Sequence, residues 1–254
     1  MITTTEAIIL KSMKYRDSSK LLTVYTEAFG RCSLIANGAR TLKNKFGSAL
    51  EPMSCSTLTF YKKQNKDLHT LSSAEPSVRL RNLTESFDRI TSGLAVCEII
   101  YTSQTHEEQN PPVYALLKST LIALNAAEQN EQSLVFWFQV HYASVMGFGL
   151  NPSICPTSGE TVLPESAEEF VISLADGAPY SAPFARIHTG FRMEPATLHA
   201  LQQMYEIPLE SASKLALTTR QTSQLNDFFA LYYQFHLDRS MTDRSRRFMQ
   251  SVVV

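Results

Sequence analysis

The spacing of apolar residues changes once along this 254-residue chain, near residue 79, and that switch limits it to a β-rich beginning and a helical remainder. Up to about residue 75 the runs TTEAIILKSM, SKLLTVYTE, RCSLIANGA, MSCSTLTFYKK and DLHTLSSAE are short and rich in Thr, Ile, Val, Leu, Phe and Tyr. Breaks fall at 15–18, at Phe29 and Gly30, across 38–51, and at 64–66. Branched and aromatic side chains suit a pleated, half-buried surface, and five such runs without helical period between them favour a small closed barrel. A five-stranded OB-fold is the natural candidate, and an SH3-like barrel fits the pattern almost as well. Gly30 falls at a tight connection, where a residue of positive φ is tolerated.

Beyond residue 79, Leu83, Phe87, Ile90, Leu94, Cys97 and Tyr101 are spaced to share one helix face. Pro111 and Pro112 open a second helix over 113–127, since proline is accepted in a first turn. A third runs through SLVFWFQVHYASVM and stops near Gly147, Gly149 and Pro152. Residues 150–192, with five prolines, read as an irregular insert holding one strand, FVISL. Helices resume near 194–205 and again over about 222–238. There Leu225, Phe228, Phe229, Tyr232 and Phe235 form an aromatic stripe, and a stripe at this spacing is core. The expected architecture is α+β: a five-stranded barrel over 1–78, then a mainly α-helical domain over 79–254 with the insert at 150–192.

Charge divides along the same line. Residues 1–81 hold 13 Lys/Arg and 6 Asp/Glu, and the rest holds 10 and 18, so a net −1 conceals +7 followed by −8. Asymmetry of this kind points to a polyanion partner for the first segment. No run approaches 18 apolar residues and no basic leader precedes an apolar stretch, so neither a membrane span nor export is expected. Cys32, Cys55, Cys97 and Cys155 are widely spaced, without a disulfide framework. A cytoplasmic location follows.

Eight basic residues stand out between 11 and 46: Lys11, Lys14, Arg16, Lys20, Arg31, Arg40, Lys43 and Lys45, against Asp17 and Glu27 alone. Lysines on a glycine-containing loop reach a phosphodiester backbone without fixed geometry, and binding of that kind is electrostatic and weakly sequence-specific. Tyr15, Tyr61 and Phe46 are candidates to stack unpaired bases, as is Tyr25, which is equally a core candidate. The same loop also reads as a solubilising one. Arg244, Arg246 and Arg247 form a second basic run, suited to DNA, to a partner's acidic tail, or to the C-terminal end of the last helix. Catalytic chemistry is missing: there is no phosphate-binding G-x-x-x-x-G-K-[ST], no G-x-S-x-G elbow, and the six histidines never fall at metal-ligand spacing with a carboxylate. The reading is of a non-enzyme. A protein-interaction adaptor with an incidental basic loop, and a nuclease using dispersed carboxylates, are the rivals.

The stretch TEAIILKSMKYRDSSKLLTVYTEAFGRCSLIANGARTLKNKFGSALEP, with its LLT-x-x-T-x-x-x-G run and basic loop ending at a proline, resembles the opening of the RecO family of bacterial recombination mediators. HLDRSMTDRSRRFMQ is similar to that family's basic S-R-x-F ending. The resemblance implies an N-terminal OB-fold and a helical C-terminal domain. It implies binding of single- and double-stranded DNA and annealing of complementary strands. It also implies contact with the C-terminal tail of single-stranded-DNA-binding protein, work with RecR to load RecA, and a nucleoid-associated cytoplasmic setting. Carried over, the DNA surface falls on Arg31, Arg40, Lys43 and Lys45, with Lys11, Lys14, Arg16 and Lys20 contributing. Many relatives carry a four-cysteine zinc site; here LNPSICPTSGE keeps Cys155 but has Ser158 where a second cysteine would stand, and no cysteine follows. One thiolate does not hold tetrahedral zinc, so neither a structural metal nor a cofactor is expected.

Overall fold

The computed structural model describes residues 1–42, 44–63, 66–104 and 108–237. These form two compact units, Met1–Ala126 and Ala127–Val254.

The first unit is built on five strands: β1 (Ile2–Tyr15), β2 (Ser19–Thr26), β3 (Gly30–Ala36), β4 (Cys55–Tyr61) and β5 (Leu68–Val78). They close into a barrel in the order β1-β2-β3-β5-β4, which is that of an OB-fold. Every junction is antiparallel except β3 with β5. β1 is long because it seals the barrel twice, pairing with β4 over its first half and with β2 over its second. Ala7, Ile9, Leu22, Val24, Leu34, Leu58 and Phe60 fill the interior and are fully buried, each large side chain contributing about 1.5–3 kcal/mol. A short turn of 3-10 helix at Gly47–Leu50 presses Phe46, Ala49 and Leu50 into one end.

One irregularity in β1 decides which side chains face out. Ile9 pairs with Val24 but Lys11 with Thr23, leaving Leu10 as the extra residue of a bulge. Ile9 points inward with Val24. After the bulge the alternation is rephased, so Lys11, Met13 and Tyr15 project outward, while Ser12 and Lys14 share the inner-facing rows of Leu22 and Lys20.

Two helices complete this unit, α1 (Phe87–Ser103) and α2 (Pro111–Ala126). Ser86 caps α1, its Oγ accepting from Arg89 N at 3.1 Å, a contact worth about 1 kcal/mol. Asn110 Oδ1 accepts from Val113 N at 3.2 Å at the start of α2. The α1 face differs from expectation. Leu83 precedes the helix in a 3-10 turn and Phe87 is 67% exposed, whereas Ser92, Val96, Ile99 and Ile100 are buried. Phe87 is the first helical residue, one turn before the stretch that packs, so spacing alone misassigned it.

The second unit holds α3 (Glu131–Val145), β6 (Phe170–Ser173), β7 (Ala178–Pro179), α4 (Ala182–Ala185), β8 (Phe191–Met193), α5 (Pro195–Glu206), α6 (Leu209–Ala212) and α7 (Thr219–Leu237). The insert carries more order than one strand: β6 lies between β7 and β8 in a small antiparallel sheet. The aromatic stripe of α7 is core at Leu225, Phe228, Phe229 and Tyr232, but Phe235 is 56% exposed. A period of 3.6 residues brings Tyr233 and His236 inward instead. Tyr233 donates to Gln139 O at 2.8 Å, and the His236 ring stacks on Phe148 with centroids 4.8 Å apart.

Candidate nucleic-acid interface

The β1–β2 turn and the loop after β3 meet at one end of the barrel. Arg40 ties them together: its backbone N donates to Ser18 O at 2.9 Å, and its guanidinium donates to Arg16 O at 3.0 Å and Asp17 O at 3.3 Å. Arg16 holds φ +49°, the strained left-handed region, and its guanidinium lies 5.2 Å from the ring of half-buried Tyr15. Lys14 stands opposite Lys20 across the β1–β2 ladder. Lys20 is paired with Glu51, Nζ to Oε1 2.8 Å, while exposed Lys14 makes no ion pair among the described residues.

Lys45 crosses to the far side of this end, its Nζ donating to Ser72 O at 2.7 Å and lying 5.1 Å from the Phe46 ring. Lys11 and Arg31 sit lower on the barrel, both over Tyr101 of α1, at 4.8 and 5.5 Å from its centroid. Arg31 also donates to Tyr101 O. Lys43 lies outside the described residues, as do Arg244, Arg246 and Arg247.

The fold thus gathers Lys14, Arg16, Lys20 and Arg40 at one end and sets Lys11 and Arg31 apart from them. Phe46 requires correction as a stacking residue: it is 3% exposed, and its ring belongs to the barrel core. Arg40 and Lys45 hold the loop through backbone carbonyls, so their charges reach the surface already engaged in hydrogen bonds.

A second cationic group went unassigned from sequence. Lys62, Lys63 and Lys66 lie in the β4–β5 connection at the opposite end of the barrel. Lys63 and Lys66 are exposed, and the connection is anchored where Lys63 N donates to the ring of buried His69 at 3.2 Å. The run KKQNK was the available signal, legible as a break but not as part of a binding surface.

Around Cys155 the donor chemistry does not fit tetrahedral zinc. Its buried Sγ accepts from Ser181 N and Oγ at 3.4 and 3.5 Å. No group of three metal-ligating side chains occurs among the described residues. Burial pushes the thiol up, but hydrogen bonds from Ser158 and Ser181 outweigh it and bring the pKa down from 9.0 to about 6. No described helix is long and apolar enough to cross a membrane.

Comparison with known proteins agrees with this geometry. The family model described as "Recombination protein O N terminal" matches residues 1–78, and "Recombination protein O C terminal" matches 84–245. The chain is 29% identical to the DNA repair protein RecO of Chloroherpeton thalassium, with both chains fully covered. It is 29% identical to that of Salinibacter ruber, covering 96% of this chain and 92% of the relative. It is 31% identical to that of Pelodictyon phaeoclathratiforme over 65% of this chain and 63% of the relative. A five-stranded barrel followed by a helical domain, each matched by its own half of one family, makes this chain a member of the recombination protein O family of DNA repair proteins.

Proposed function

We propose that this protein binds DNA through its barrel and anneals complementary strands as a recombination mediator, without catalysis of its own. The observation that carries the reading is the pair of cationic groups on one OB-type barrel, Lys14, Arg16 and Arg40 at one end, where Lys20 is paired with Glu51, and Lys62, Lys63 and Lys66 at the other. Cations so placed neutralise two repelling phosphate backbones together, which is what annealing requires in the absence of nucleotide hydrolysis. Work with RecR to load RecA, contact with the tail of single-stranded-DNA-binding protein, and a cytoplasmic, nucleoid-associated setting belong to the same reading, as does a second domain that holds its shape without zinc.

The test is anisotropy of labelled single- and double-stranded DNA at several salt concentrations, followed by annealing of strands coated with single-strand-binding protein, without ATP. Log affinity should fall with log salt at about −0.7 per phosphate contacted on single strands. Replacing Lys14, Arg16, Lys63 and Lys66 with alanine should weaken binding equally on unrelated sequences. Salt-insensitive or negligible binding would turn the reading toward an adaptor, and metal-dependent loss of the label toward a nuclease.

A further inference from the structure

Arg79 and Arg81 close the basic first segment of the chain and belong to neither cationic group. Both follow β5 and are exposed, and neither makes an ion pair among the described residues. Both line a cavity of about 530 Å³ between the turn before β4 and the chain leaving β5. Its other walls include Pro52, Met53, Val78, Leu80 and Leu83. Met53 is buried and holds φ +69°, and its Sδ lies so close to α1 that a Cβ at Gly93 would be 2.5 Å from it. A non-glycine residue persists in that region only where its surroundings hold it there, and a thioether adapts to whatever side chain enters beside it. The cavity is thus an aliphatic socket with two unpaired cations at its rim.

Nucleic acid fits this socket poorly. No aromatic ring lines it for a base to stack on, and phosphates would answer the arginines while leaving the apolar walls empty. What fits is an aliphatic side chain with carboxylates beside it, and the second unit displays one. Leu163 is 52% exposed, with Glu160 before it and Glu165 and Glu168 after it. All three carboxylates are exposed and make no ion pair among the described residues. Val145, Ile187, Tyr205, Leu231 and Phe235 are exposed in the same unit, and none has carboxylates close on both sides. The Leu163 segment is also held ready. Val162 is buried, its N donating to Ser153 O at 2.8 Å and its O accepting from Gln202 Nε2 at 3.0 Å. Leu163 O accepts from Ser166 N at 3.0 Å and from its Oγ at 2.6 Å. A segment already ordered loses little freedom on docking. The +7 of the first 81 residues and the −8 of the rest favour the same pairing between copies.

We infer that the socket beside Arg79 and Arg81 receives the Leu163 segment of a second copy of this chain, so that the protein associates with itself. The contact is small, so the association is weak and falls with added salt. It stands independently of the DNA-binding reading. Its test is sedimentation equilibrium of the full chain, freed of nucleic acid, over a concentration series. Leu163→Ser removes the anchor, and Thr84→Trp fills the socket from its exposed rim while keeping both arginines. Each should weaken association about tenfold or more, as should Arg79→Glu combined with Arg81→Glu, with the melting temperature unchanged. Glu165→Arg combined with Glu168→Arg should weaken it likewise. Mixing the two charge-reversed variants should restore an association that neither shows alone. A wild type that sediments as a monomer at every concentration overturns the inference. So does association that Leu163→Ser and Thr84→Trp leave intact.

Discussion

Lys14 and Lys20 stand directly opposite each other in the β1–β2 ladder, and Glu51 answers only the second, its Oε1 2.8 Å from Lys20 Nζ. Like charges in opposed positions destabilise a sheet, so Glu51 both relieves the ladder and removes one cation from the barrel end. Glu51→Gln should therefore raise affinity for single-stranded DNA and steepen its salt dependence by about one phosphate contact. The cost in stability should be small, about 0.2–1 kcal/mol, since the carboxylate is more than half exposed. Anisotropy against salt, paired with urea unfolding, measures both; unchanged salt dependence would mean that Lys20 never faces the ligand.

Gly30 is required by its surroundings as well as by its backbone. It holds φ +64°, and a Cβ built there would lie 2.0 Å from the carbonyl oxygen of Glu108. Gly38 holds φ +73° with nothing within 4 Å of the same construction. Gly38→Ala should thus cost only the conformational penalty of the left-handed region, about 1–2 kcal/mol. Gly30→Ala should cost distinctly more, about 3 kcal/mol or above, because backbone must move to admit the methyl group. Equal losses in urea unfolding would show that the segment at Glu108 yields freely.

The strands were legible in sequence because each alternates over several residues, and the long helices because they repeat over three turns or more. β7 and β8 are too short for any period to show, and so the insert read as irregular. Among site residues, the charge imbalance of the first 81 positions was visible and its placement was not. The bulge at Leu10 flips every later side chain of β1, and one residue of register decides whether Met13 faces solvent or core. The closure of the barrel depends further on the parallel junction of β3 with β5, which no local pattern encodes. Phe46 misled because its neighbours are basic; its partners at the barrel end, Ala49 and Leu50, follow at helical spacing, and that was the signal for burial.

Glu6 on β1 gives the first unit a predictable response to acid. Lys118 Nζ of α2 donates to its Oε2 at 2.5 Å, and the Tyr114 hydroxyl donates to the same oxygen at 3.4 Å. The hydrogen bond from Lys118 leads in holding this carboxyl below its ordinary 4.5, against a lesser opposing effect of burial. A depressed carboxylate contributes stability that is fully present above 4.5 and is lost as pH falls through the lower folded value. Wild type and Lys118→Met should accordingly differ in stability at neutral pH and converge below pH 4.5. Urea unfolding at stepped pH reads the difference, and a constant gap down to strongly acid conditions would remove the ion pair as its source.

Cys155 separates a hydrogen-bonded thiol from a metal ligand. Two serines take the positions from which donors reach its sulfur, and a hydroxyl that donates to a thiolate competes with any cation for the same lone pairs. Chelator treatment should leave the melting temperature unchanged, and the purified chain should carry substoichiometric zinc. Titrating thiolate ultraviolet absorbance should show one thiol ionising near pH 6, well apart from Cys55, which burial pushes up to about 11. Ser181→Ala removes the side-chain donor and should move the lower transition upward while leaving the fold in place. Stoichiometric zinc whose removal unfolds the second unit would instead mean that ligands beyond the described residues complete a metal site around Cys155.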